Sequence, residues 1–95
     1  MRIAVLGTGG VGQTLGTRLV ETGHEVRMGS RSAGNEKAVA WVASAGDAAS
    51  EGSFRDAASW AEVVVNATSG LVSLVALEAA GTDHLAGKVL VDVAN

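Results

Sequence analysis

Six residues, Gly7-Thr8-Gly9-Gly10-Val11-Gly12, constrain this chain more than any others. They follow a continuous apolar run at residues 3–6 and open a stretch from residue 11 to 22 with helical patterning. In that stretch Val11, Leu15 and Leu19 share one stripe at i, i+4 spacing, and Gly12, Gly16 and Val20 form a second. A short all-apolar strand suits a parallel sheet buried on both faces. A strand, a G-x-G-x-x-G turn and a helix in that order form the opening of a βαβ unit.

The same alternation runs to the end of the chain. A second strand is expected at residues 24–28, after Gly23 ends the first helix. Gly29-Ser30-Arg31 follows it directly, then a small polar loop at residues 32–35 and a helix over Glu36–Ala45. Residues 48–52 are poorly patterned and are read as a short edge strand. Residues 53–61 read as a short helix. Residues 62–68, centred on Val63, Val64 and Val65, form a further strand; 71–80 is a helix closed by Gly81, and 88–94 is the last strand. Strands alternating with helices predict a parallel sheet with right-handed crossovers. The expected fold is therefore α/β: a doubly wound, Rossmann-like parallel sheet in a single three-layer domain over residues 1–95. The chain stops at the tip of a strand, where such a domain normally continues, so it is read as the N-terminal part of a longer protein.

Composition narrows the function. Hydrophobic residues make up 47% and charged residues 18% of the 95, which is globular usage. The net charge of -3 and the lack of any basic run argue against a nucleic-acid partner. Cysteine is absent, which excludes disulfides and thiolate chemistry. No stretch approaches the roughly 20 apolar residues of a membrane span. A cytoplasmic protein is expected.

The glycine motif has a physical rationale as a dinucleotide site. Gly7 permits the turn out of the strand, Gly9 lets the backbone approach a pyrophosphate, and Gly12 lets helix and strand pack closely, with Gly16 extending that packing. Thr8, Gly10 and Val11 complete the loop, whose free N–H groups lie at the positive end of the helix dipole. The competing reading is a glycine-rich turn that binds no nucleotide.

The end of the second strand selects the nucleotide. An NAD site places a carboxylate there for the ribose hydroxyls. This chain has Gly29-Ser30-Arg31. Ser30 can donate a hydrogen bond to a 2′-phosphate, and Arg31 can pair with it and stack on the adenine. Lys37 can add a second positive charge. The expected cofactor is NADP. Ligands of a doubly wound sheet bind at the carboxyl ends of the strands. Ala67, Thr68 and Ser69 at one such end and Asn95 at another are therefore the remaining candidate contacts. Asn66 can instead brace its turn, and Thr68 or Ser69 can cap a helix. His24, His84, Trp41 and Trp60 are read as structural or solvated, Asp92 as paired near its strand end. No catalytic residue or metal site stands out.

The run from Met1 to Gly12, then Gly23-His24-Glu25-Val26, Gly29-Ser30-Arg31 and Asp92-Val93-Ala94-Asn95, resembles the NADP-binding domain of the coenzyme F-420-dependent NADP oxidoreductase family. The glycine motif alone would suit pyrroline-carboxylate reductases or 6-phosphogluconate-type dehydrogenases equally well. The Gly-Ser-Arg triplet is the most specific part. The resemblance implies hydride transfer between NADP(H) and a deazaflavin or another small acceptor. The alternative is a non-enzymatic NADP-binding module that senses redox state. The last strand, as an exposed edge, would favour self-association into a homo-oligomer.

Overall fold

The computed structural model describes residues 1–93. Five strands form one parallel sheet: β1 (Arg2–Leu6), β2 (Glu25–Ser30), β3 (Ala49–Ser53), β4 (Val63–Asn66) and β5 (Val89–Asp92), in the order β3-β2-β1-β4-β5. The helices between them are α1 (Gly10–Glu21), α2 (Glu36–Ala45), α3 (Phe54–Trp60), α4 (Gly70–Ala80) and α5 (Thr82–Leu85). This is the expected doubly wound arrangement. Chain direction through the sheet reverses beside β1, and that is where the strand ends open a crevice.

Side-chain alternation along the strands divides the core into two layers. Ile3, Val5, Val26 and Met28 point to one face, where α1 and α2 cover them with Leu15, Leu19, Ala38 and Trp41. Ala4, Leu6 and Val64 point to the other, beneath Phe54, Ala57 and Ala58 of α3 and Ala76 and Ala80 of α4. Both faces of the central strands are covered, which is why β1 is apolar at every position from Ile3 to Leu6. The outer strand β5 is different. Val89, Leu90 and Val91 are all exposed.

Three local readings change. First, β2 runs over Glu25–Ser30 and not 24–28, so Gly29 and Ser30 are strand residues. Gly29 faces α3 so closely that a Cβ there would lie 2.9 Å from the Leu6 side chain and 3.2 Å from the Cβ of Ala57. Second, Gly16 makes room for a helix and not for the sheet: its missing Cβ would meet the Trp41 indole at 2.7 Å. That indole is buried and donates its Nε1–H to the Thr17 hydroxyl at 3.1 Å. Third, residues 82–85 form the short helix α5, in which His84 is half-buried.

Two cations tie the far end of the sheet. Arg27 stacks on the Trp60 ring at 4.5 Å and donates to the Ser50 hydroxyl at 3.0 Å. Lys88 donates to the carbonyls of Ala58 and Ser59, near the negative end of α3.

Candidate dinucleotide site

The turn after β1 is held from several sides. Gly7 has φ +120°, a conformation that side chains other than glycine rarely adopt, and its N–H donates to the Gly29 carbonyl at 2.9 Å. A Cβ at Gly7 would also press on the Ala67 carbonyl at 2.9 Å, so the turn is flush against the end of β4. Gln13 reaches back from α1 and donates to the Thr8 carbonyl at 2.9 Å. The loop backbone is thus held by hydrogen bonds from β2 and α1 and by close contact with the end of β4.

Gly9 is the N-cap of α1, and no side chain occupies the cap hydrogen bond. The first turn of this 12-residue helix carries no acidic residue. Its leading N–H groups and positive dipole end therefore face the crevice uncompensated. Gly9 and Gly10 line an open cleft of about 490 Å³ together with Gly7, Thr8 and Val11. Cβ atoms built on Gly9 and Gly10 meet nothing within 4 Å, and neither residue has a positive φ. The protein's own packing and backbone do not demand glycine at these two places.

Gly12 has another role. A Cβ there would lie 2.6 Å from the Gly7 carbonyl oxygen and 3.6 Å from the Val5 side chain. It lies beneath the loop, sets helix α1 against β1, and does not line the cleft.

The cleft runs along the strand ends to Ser30 and Arg31 on one side and to Ala67, Thr68 and Ser69 on the other. Ser30 is buried and its hydroxyl donates to the Ser32 carbonyl at 2.8 Å. Its proton is therefore committed to the loop. Arg31 is exposed, and among the described residues its guanidinium has no hydrogen bond or ion pair. Asn35 also lines the cleft; it caps α2 by accepting from the N–H groups of Lys37 and Ala38. Lys37 itself is exposed on α2 and is not among the residues that line the cleft. Asn95 lies outside the described residues.

Sequence reasoning left the role of Asn66 open. It is fully buried at the end of β4, where a polar side chain needs partners. Its Oδ1 accepts from the Thr68 hydroxyl at 2.6 Å and the Thr68 N–H at 3.2 Å, and its Nδ2 donates to Asp92 at 3.4 Å. Thr68 also bonds Ser73 at 3.0 Å. Asn66 thus braces the 67–69 turn, which lines the cleft. Ser69 occupies the N-cap position of α4 without a side-chain cap bond. Phe54, Val72 and Val93 supply the apolar lining, which the sequence did not single out. Among the described residues no group of His, Asp or Glu is arranged to hold a metal. No helix there is long and apolar enough to cross a membrane.

Comparison with known proteins agrees with this architecture. A protein of Arthrobacter sp. FB24, described as a candidate F-420-dependent NADP reductase, is 45% identical, with a TM-score of 0.87 over 98% of this chain and 45% of its own. An imine reductase of Streptomyces aurantiacus is 26% identical, with a TM-score of 0.80 over 99% of this chain and 32% of its own. Pyrroline carboxylate reductase of Plasmodium falciparum, solved with NADP bound, shares the fold at 15% identity and a TM-score of 0.73, over 99% of this chain and 33% of its own. This chain therefore spans less than half the length of each. No curated protein matches it. The model for the NADP oxidoreductase, coenzyme F-420-dependent family matches residues 2–95, and the chain belongs to that family.

Proposed function

We propose that this chain binds NADP(H) as the cofactor domain of an oxidoreductase that passes hydride between the nicotinamide and a deazaflavin or another small acceptor. The observation that carries the reading is the pair Gly9 and Gly10, which line the cleft and which neither crowding nor a positive φ requires to be glycine. In this reading the loop of Gly7, Thr8, Gly9, Gly10 and Val11 takes the pyrophosphate through backbone N–H groups, and Gly12 supports the loop from below. Arg31 pairs with the 2′-phosphate. Ser30 braces the loop that carries it, and Lys37 and Asn95 are secondary contacts. The turn of Ala67, Thr68 and Ser69, fixed by Asn66, supports the nicotinamide end.

NADP(H) when bound supplies the hydride. The chain has to orient the ring and exclude water, and hydride transfer requires no acid or base from it. That suits a cleft in which Ser30, Asn35 and Thr68 are engaged in structural hydrogen bonds and Phe54, Val72 and Val93 add apolar lining.

The test is a titration with NADPH and NADH of the wild type and Arg31→Ala. NADPH is expected to bind at least about tenfold tighter to the wild type, one charge-assisted contact being enough for that ratio. In Arg31→Ala the two affinities converge. Equal affinities in the wild type overturn the assignment.

A further inference from the structure

We infer that Glu51 is a positioning residue for cofactor selection, because it fixes the loop on which Arg31 is carried. The inference rests on the reading of Arg31 as the 2′-phosphate contact.

Glu51 is out of place in its strand. The rest of β3 is small: Ala49, Ser50, Gly52 and Ser53. Glu51 is half-buried there, and both of its carboxylate oxygens accept from one donor, the N–H of Gly34, at 3.0 and 3.1 Å. Gly34 sits at φ +84°, and a Cβ there would meet nothing within 4 Å. Glycine is therefore required at this place by its backbone angle and not by crowding. Its N–H meets Glu51, 17 residues further on and in another element.

This contact is the middle one of three. Before it, the Ser30 hydroxyl holds the Ser32 carbonyl. After it, Asn35 caps α2. The segment from 31 to 35 is so anchored at its start, middle and end. Arg31 is long, and its guanidinium is unengaged by the described residues. Such a side chain loses considerable rotamer freedom when it binds a ligand. It binds well when the backbone below it does not also have to be ordered.

Two effects of Glu51 oppose each other. Its negative charge disfavours a nearby phosphate, an effect that weakens with distance and with salt. Its charge-assisted hydrogen bond to the loop acts at contact range and is stronger than a neutral one. Glu51→Gln removes the charge and keeps an acceptor. Glu51→Ala removes both. Gly34→Ala strains the loop turn while the carboxylate stays.

The experiment measures the affinities of NADPH and NADH for wild type, Glu51→Gln, Glu51→Ala, Gly34→Ala and Arg31→Ala. NADPH affinity is expected to fall about tenfold in Glu51→Ala and in Gly34→Ala, while NADH affinity stays within about twofold. Glu51→Gln is expected to keep the wild-type ratio or exceed it. Three results overturn the proposal: an unchanged ratio in Glu51→Ala, an equal fall in Glu51→Gln and Glu51→Ala, or a parallel loss of NADH and NADPH binding in Glu51→Ala. A wild type without preference overturns the Arg31 reading itself. A preference that Arg31→Ala abolishes and Glu51→Ala leaves intact overturns only the part given to Glu51.

Discussion

Gly9 and Gly12 belong to one motif, yet their surroundings differ in kind. A methyl group on Gly9 would point into open space in the cleft, whereas one on Gly12 would collide with the Gly7 backbone at 2.6 Å. Gly9→Ala is therefore expected to lower the unfolding midpoint only by what a poorer N-cap costs, under about 1 kcal/mol, and to weaken nucleotide binding. Gly12→Ala is expected to cost about 1–3 kcal/mol, as overpacking against an unyielding neighbour does, because backbone and not a flexible side chain stands in the way. Thermal melts of both variants, with and without NADPH, separate the two roles. A midpoint for ligand-free Gly9→Ala lowered as far as that of Gly12→Ala would show that the glycine serves the fold after all. The motif spacing was legible in the sequence. So was a separate task for each glycine, close helix–strand packing at Gly12 among them; which backbone atom stands across the turn from Gly12 was not, because spacing carries no information on what lies there.

At the scale of elements, the end of β4 shows how a strand is finished for a site. A fully buried asparagine is tolerable there because its acceptor and its donor both find partners. Asn66→Asp keeps the acceptor for Thr68 but replaces the donor that faces Asp92 with a second carboxylate. Two such groups disfavour ionisation of the buried one. The variant is expected to be less stable than wild type by about 2 kcal/mol near neutral pH, the order of an unpaired buried polar group. It should regain part of that loss as the pH is lowered and the new carboxyl takes up a proton. Chemical denaturation of both proteins at two pH values reads this out; a deficit that does not change with pH would refute the pairing. The sequence placed β4 at 62–68, and the observed strand is shorter, Val63–Asn66. The Asn66 side chain accepts the Thr68 N–H, which turns the backbone away from the sheet two residues early. The opposite happened at β2, where Gly29 and Ser30 remain in the sheet because β3 pairs with them as far as Ser53. That pairing cannot be read from glycine and serine, which are poor strand formers taken alone.

Across the whole molecule the sheet has a functional end and a sealing end. At the sealing end, Glu62 accepts the N–H of Arg2 at 2.9 Å, and Arg2 donates its Nε–H to the Trp60 carbonyl at 2.8 Å. The bond from the Arg2 N–H holds the Glu62 carboxyl below its ordinary pKa, with the Arg2 and N-terminal charges adding to the effect. A carboxyl whose pKa is depressed on folding stabilises the folded state above its unfolded value, and that contribution disappears as the pH falls through the folded one. The wild type should therefore lose stability relative to Glu62→Gln as the pH is lowered below the ordinary glutamate range. Parallel melts from neutral to acid pH check it; curves that stay a constant distance apart would remove Glu62 from the account. The sequence by itself determined the α/β class, the strand–helix alternation and the glycine-rich turn after β1, because hydrophobic periodicity and glycine spacing are local properties. It also marked Arg31 as the candidate contact for a phosphorylated ribose. Tertiary structure decided the rest: that Gly16 serves Trp41, that the Ser30 hydroxyl is committed to its own loop, and that Glu51 meets Gly34. Each of these joins residues from different elements, and only the packing of the sheet and its helices brings them within contact distance.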